Sequence, residues 1–167
     1  MGIKPKTSAF KAVNDGGIQI VPAGPDPTDV EYPNVLFDLN EEYDPEESTF
    51  IPNQDGIYLV IGSVVFAQDL EIDYRVRIFI LVNGEPAVGD NDFWGKEVPF
   101  ANGVSVSGIL QLNKGDRVSI NVNSTADGVI VGDPVGTHFE AARFPSPLEN
   151  ESPILLKSSN TSKTYEL

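Results

Sequence analysis

Polar and apolar residues alternate strictly over long parts of this chain. In "RVSINVNST", Val118, Ile120 and Val122 take one parity, while Ser119, Asn121 and Asn123 take the other. That period of two is what a half-buried antiparallel strand requires. "GVSVSGILQL" repeats it with Val104 and Val106 and continues from Ile109 to Leu112. Two further runs, "GIYLVIGSVVFA" and "RVRIFILVNG", are apolar at successive positions and rich in β-branched and aromatic residues. They predict central strands covered on both faces, or with one face at an oligomer contact. No long stretch shows a 3.6-residue apolar period, and 15 Gly and 13 Pro interrupt the chain every few residues. Turns are predicted at Asn83-Gly84, Asn102-Gly103, Lys114-Gly115-Asp116 and Asp127-Gly128. The pattern predicts an all-β, antiparallel fold of about eight to ten short strands, a two-sheet sandwich or a jelly roll.

Length and local composition set the organisation. The 167 residues suit one domain, expected over residues 1–145. "VPAGPDPTDVEYP", residues 21–33, is broken by proline and is predicted to be an acidic surface loop. Residues 146–167 are rich in Ser, Pro, Asn and Thr and hold one apolar island, Ile154, Leu155 and Leu156. They are expected to form a tail outside the sandwich, disordered or docked on a partner through that island. The longest apolar stretch, residues 57–67, is interrupted by Gly62 and Ser63, well short of the roughly 18 residues of a membrane helix. Membrane insertion is therefore not expected. The opening residues carry lysines without an apolar region behind them, so no classical signal peptide is expected either.

Charge narrows the range of partners. The formal net charge is −14, and no Lys or Arg falls between Lys11 and Arg75, a window holding 14 acidic residues. Acids and bases balance elsewhere, so this segment carries the whole excess. It would repel a phosphate backbone, which argues against a nucleic-acid partner. With no cysteine, disulfides and thiolate metal sites are excluded.

Six residues in register carry a resemblance. Tyr32, Asp38, Tyr43, Phe50, Gly56 and Tyr58 fall at the spacings aromatic, five residues, Asn or Asp, four residues, aromatic, six residues, Phe, five residues, Gly-x-Tyr. "SAFKAV" near the start, and "LQLNKGDRVSI" with Gly115 and Asp116 in its turn, complete the pattern. The chain thereby resembles the C1q-like globular head domain of the C1q/TNF-like jelly rolls, in its bacterial or phage type, from Ser8 to about Phe144. It departs where Val60 and Gly62 stand in place of aromatics and in its "THFEAARFP" close. The resemblance implies a jelly roll and a homotrimer. From the residues alone, Phe37, Tyr43, Phe50 and Tyr58 read as core anchors, and Gly56 as a turn residue with positive φ.

Catalytic signals are lacking. His138 is the only histidine, and no Gly-x-Ser-x-Gly elbow or phosphate loop occurs. His138 is expected at a strand end, without a catalytic role. "GDNDF" and "DLEID" gather oxygen ligands of the kind Ca²⁺ takes, set against ordinary solvated acids. Asp90, Asn91 and Asp92 are the candidate calcium ligands, and no other cofactor is expected. Three glycosylation sequons begin at Asn123, Asn150 and Asn160 and are read as incidental. For the three-fold contact the candidates are Tyr58, Val60, Phe66 and Phe79, each competing with a core role. The expected function is a non-enzymatic homotrimeric structural or binding module on a larger particle, leading with a virion component such as a phage head-decoration or fibre protein. The alternative is a ligand-binding, adhesin-like domain on a bacterial cell or spore surface. Its partners would be itself and a capsid, fibre or cell-surface protein or glycan.

Overall fold

The computed structural model describes residues 7–98 and 101–145, and these form two antiparallel sheets without a helix. The apolar island Ile154 to Leu156 lies outside the described residues. In the first sheet the order is β4 (Asn34–Asp38), β1 (Ala9–Val13), β13 (His138–Arg143), β7 (Gly56–Gln68) and β10 (Asn102–Leu112). Beside the C-terminal end of β7 the same sheet continues through β12 (Gly128–Val131) to β2 (Ile18–Val21). The second sheet runs β5 (Tyr43–Asp44), β6 (Thr49–Phe50), β11 (Val118–Ser124), β8 (Tyr74–Val82) and β9 (Glu85–Trp94), and β3 (Thr28–Asp29) lies along β11. Thirteen strands result, more than expected, because the two-residue strands β3, β5 and β6 are too short to leave a periodic trace.

The core lies between the sheets and is filled by one parity of each central strand. β7 turns Tyr58, Val60, Val64 and Phe66 inward, β8 turns Val76, Ile78 and Ile80, and β11 turns Val118, Ile120 and Val122, all fully buried. Gly62 interrupts the inward row of β7 for a steric reason: a Cβ there would stand 2.5 Å from Ile120 Cδ1 of the opposite sheet. Ile120 thus fills the space that a larger residue at position 62 would need.

The spaced aromatics converge on one cluster. The Phe10 ring stacks on Tyr43 at 4.6 Å and on Phe50 at 4.9 Å, and meets Phe139 edge-on at 5.0 Å. Tyr32 packs on Phe139 at 5.6 Å and Phe50 on Tyr58 at 5.6 Å. Each phenol is satisfied: Tyr32 donates to the Ser63 carbonyl, Tyr43 to the Tyr32 carbonyl and Tyr58 to the Gln54 carbonyl. Burial pushes the Tyr32 and Tyr43 hydroxyls well above their ordinary range. Asp38 holds the turn into this cluster, its Oδ2 accepting the Glu42 and Tyr43 amides at 2.9 and 2.8 Å. Buried Glu42 accepts bonds from Ser8 Oγ, from Asn40 Nδ2 at 3.0 Å and from the Asn53 amide at 2.7 Å, tying β1 to the turn before β7. A second aromatic group, Phe66, Tyr74 and Trp94, closes the other end of β7.

Four expectations need correction. Gly56 has no positive φ; a Cβ there would run into the Arg143 side chain, whose guanidinium donates to the Asp55 carbonyl. Close approach of the Arg143 side chain, rather than left-handed backbone, is what glycine accommodates here. Phe37 is 44% exposed on edge strand β4, so it is no core anchor. Asn102 and Gly103 begin β10 instead of forming a turn, and Asn102 Nδ2 donates to the Tyr74 hydroxyl at 2.7 Å. The proline-broken stretch 21–33 is pinned along β11, through β3, a bond from the Val30 amide to the Ile120 carbonyl at 2.9 Å, and buried Val30 and Tyr32. Proline spacing hid these anchors, because the pinned residues are single. The Asn83-Gly84 turn does join β8 to β9, with φ of 52° and 84°, as a tight hairpin demands. Gly115, at φ 89°, turns the chain before β11, and Asp116 accepts the Asn113 amide and Asn83 Nδ2.

Candidate functional site

Strand alternation gives each sheet an outward face, and the two faces differ sharply. On the first sheet, register aligns Phe37, Lys11, Glu140, Ile61 and Ser107 in one row across five strands. A second row holds Ala9, Ala142, Leu59 and Ile109. Towards β2 the face continues with Ala67, Val129 and Ile20, then Val131 and Ile18. Ile18 and Ile20 are each 74% exposed and Ile109 66%. The charges on these rows cancel: Lys11 Nζ lies 2.9 Å from Glu140 Oε2. The result is a largely apolar surface with its charges paired, on a chain of net charge −14.

His138 begins β13 on this same face, its Nδ1 3.6 Å from Glu140 Oε1. Burial lowers its pKa below the ordinary imidazole value; Glu140 opposes that shift and Lys11 adds to it. Across the strand pair His138 stands opposite Ser63, whose Oγ donates to the Val104 carbonyl at 3.4 Å.

On the second sheet Arg75 and Arg77 of β8 point outward with Phe79. Across the ladder Arg75 stands opposite Phe93, and Arg77 opposite Asn91 on β9 and Asn123 on β11. The Arg77 Cζ lies 4.9 Å from the centre of the Phe79 ring. Gly89 faces Phe79, and a Cβ there would approach its Cδ1 to 2.7 Å, so glycine lets the ring lie flat across β9.

The residues singled out from sequence distribute unevenly over these surfaces. Tyr58, Val60 and Phe66 are fully buried within the chain and offer no area to another copy. Their neighbours Leu59, Ile61 and Val65 occupy the outward face instead. β7 is apolar on both faces, and a sequence apolar on both faces does not say which parity is inside. Phe79 is outward, on the second sheet, beneath Arg77. Asp90, Asn91 and Asp92 are successive residues of β9 rather than of a loop, so Asn91 faces away from Asp90 and Asp92. Strand geometry does not bring the three together as ligands, and no group of three or more His, Asp or Glu side chains among the described residues is placed to hold a metal. Asp69 and Glu71 line a shallow depression of about 520 Å³ with Gln68, Lys96 and Glu97, while Asp73 accepts the Lys96 amide.

The chain matches no protein-family model and no curated protein sequence. Solved structures do match it. Murine APRIL aligns with a TM-score of 0.59 at 16% identity, over 83% of this chain and all of that one. The globular domain of zebrafish complement 1qA gives 0.58 at 17%, over 85% and all. Eiger TNF from S. frugiperda gives 0.59 at 16%, over 88% and 98%. Sheet order, aromatic cluster and these alignments agree that the chain has the C1q/TNF-like jelly-roll fold.

Proposed function

We propose that this protein is a non-enzymatic jelly-roll module that assembles into a homotrimer through the outward face of its first sheet and serves as a structural or binding unit on a larger particle. The observation that carries this reading is the charge-poor aliphatic face. Copies that each bear −14 repel one another, so a stable contact between them needs a surface on which charges are absent or paired. Lys11 and Glu140 are paired there, Ile18, Ile20 and Ile109 are largely exposed among the described residues, and half-buried Leu59 and Ile61 add to the same apolar area. A non-catalytic role is supported by the Ser63 hydroxyl, opposite His138, being turned to the Val104 carbonyl at 3.4 Å.

The setting we favour is a virion surface, as a head-decoration or fibre protein, in which a cysteine-free sandwich folds without an oxidising compartment. A bacterial cell- or spore-surface module that binds a ligand is the second reading, favoured by the arginine-bearing face of the second sheet. Sedimentation velocity at micromolar concentration tests assembly: a trimer is expected, and a monomer would sink the proposal. Mixing the purified trimer with capsids, and with cell-surface glycans, separates the two settings.

A further inference from the structure

We infer that the outward face of the second sheet is a binding site for an acidic sugar, a pyranose ring bearing a carboxylate within a glycan. This goes beyond assembly and names a ligand class for the module. Arg75 and Arg77 stand two residues apart on one strand, so both guanidiniums project from the same face. In a chain with 25 carboxylates, neither has an ion-pair partner among the described residues, whereas Lys11 and Arg117 do. Their cross-strand neighbours are Phe93, Asn91 and Asn123, uncharged side chains; Asp90 and Asp92, on either side of Asn91, turn to the other face. Asp73, two residues before Arg75, accepts the Lys96 amide, and Asp29 lies beyond Asn121 on β3. Neither is in an ion pair with the arginines, so the exposed pair is open to a ligand carboxylate, which the planar guanidinium fork grips with two parallel bonds.

The surroundings favour a sugar over an acidic peptide. Phe93 is 68% exposed opposite Arg75, and Phe79 lies flat over Gly89 with Arg77 stacked on it. Phe93 offers a flat apolar face for the C–H side of a ring, and stacking on Phe79 holds the Arg77 guanidinium in place. Asn91 presents an amide, which both donates and accepts, as sugar hydroxyls do, and Asn123, whose Nδ2 donates to the Pro25 carbonyl at 3.2 Å, adds an amide oxygen. Elsewhere the acidic surface repels densely charged polymers, which selects glycans with spaced carboxylates.

The full chain would be titrated by calorimetry and by amide NMR shifts with 3′-sialyllactose and trigalacturonate, against lactose and maltotriose. Either acidic sugar is expected to bind at least tenfold more tightly than its neutral counterpart, with shifts centred on β8 and β9. Which of the two binds identifies the sialic or the uronic source. Arg75→Gln with Arg77→Gln should lower that affinity tenfold or more, and Phe93→Ala several-fold, with circular dichroism unchanged. Equal affinity for neutral sugars, no binding of either acid, or unchanged binding by the arginine variant would each overturn the inference. So would sedimentation showing that the arginine variant loses a contact between copies, which would make this face a protein interface. Trimer formation is read separately, so failure here leaves the assembly proposal standing.

Discussion

The two outward faces of the sandwich arise from the same strand alternation but treat charge in opposite ways. On the first sheet the outward positions are mostly apolar or small, and Lys11 and Glu140 neutralise each other at 2.9 Å. On the second, two arginines stand without acidic partners beside exposed and half-buried phenylalanines. Paired charge and bare aliphatic area suit contact with an identical copy. Unpaired charge on an aromatic shelf suits a ligand that brings the missing opposite charge. The comparison teaches that exposure alone does not define a functional surface; whether its charges are already satisfied does.

Removing what lies beneath both faces should have the largest effect. Phe66→Ala, on the inward row of β7, is expected to destabilise the chain by about 3–5 kcal/mol in denaturant unfolding. A loss below ~1 kcal/mol would contradict its place between the sheets. Next comes the first face itself. Ile61→Asp should shift sedimentation from trimer to monomer and leave the circular dichroism spectrum in place, while Arg77→Asp on the second face leaves the mass unchanged. If both or neither dissociate, the division of roles between the faces fails.

Acid provides a smaller, face-specific perturbation. His138 has a depressed pKa in the folded chain, so between that value and the unfolded imidazole value near 6.5 the unfolded state binds more protons. Its contribution to stability is therefore full above pH 6.5 and is lost as pH falls through that window. Melting temperature should drop between pH 7.5 and 5.5 by more in the wild type than in His138→Gln; equal slopes would remove His138 from the row. The least effect belongs to the second face without ligand. Arg75→Gln with Arg77→Gln should change unfolding free energy by no more than about 0.5 kcal/mol, because exposed charges with no partner contribute little.

Much of the architecture was legible from residue spacing. Val118, Ile120 and Val122 alternate with polar residues, so their inward parity could be read directly, and Asn83-Gly84 announced its hairpin. The run from Tyr32 to Tyr58 pointed to a C1q/TNF-like jelly roll because its aromatics share one cluster with Phe10 and Phe139. Less of the candidate sites was legible. Leu59 and Ile61 were passed over for Tyr58 and Val60, since β7 is apolar at both parities. Asp90, Asn91 and Asp92 looked like a loop because their composition is that of a loop, yet β8 pairs with them throughout.

What the sequence determined by itself was whatever depends on local period and turn chemistry: strands instead of helices, hairpins at Asn-Gly and Lys-Gly-Asp, and an acid excess confined to one segment. The tertiary structure decided what depends on the opposite strand or sheet. It alone showed that Gly62 yields to Ile120, that Gly56 yields to Arg143, and that Gly89 gives the Phe79 ring its bed. It alone set which side of β7 is buried and left Arg75 and Arg77 together without an ion-pair partner among the described residues. Strand partners are distant in sequence, and a side chain's surroundings in a sheet are set by those partners rather than by its neighbours along the chain.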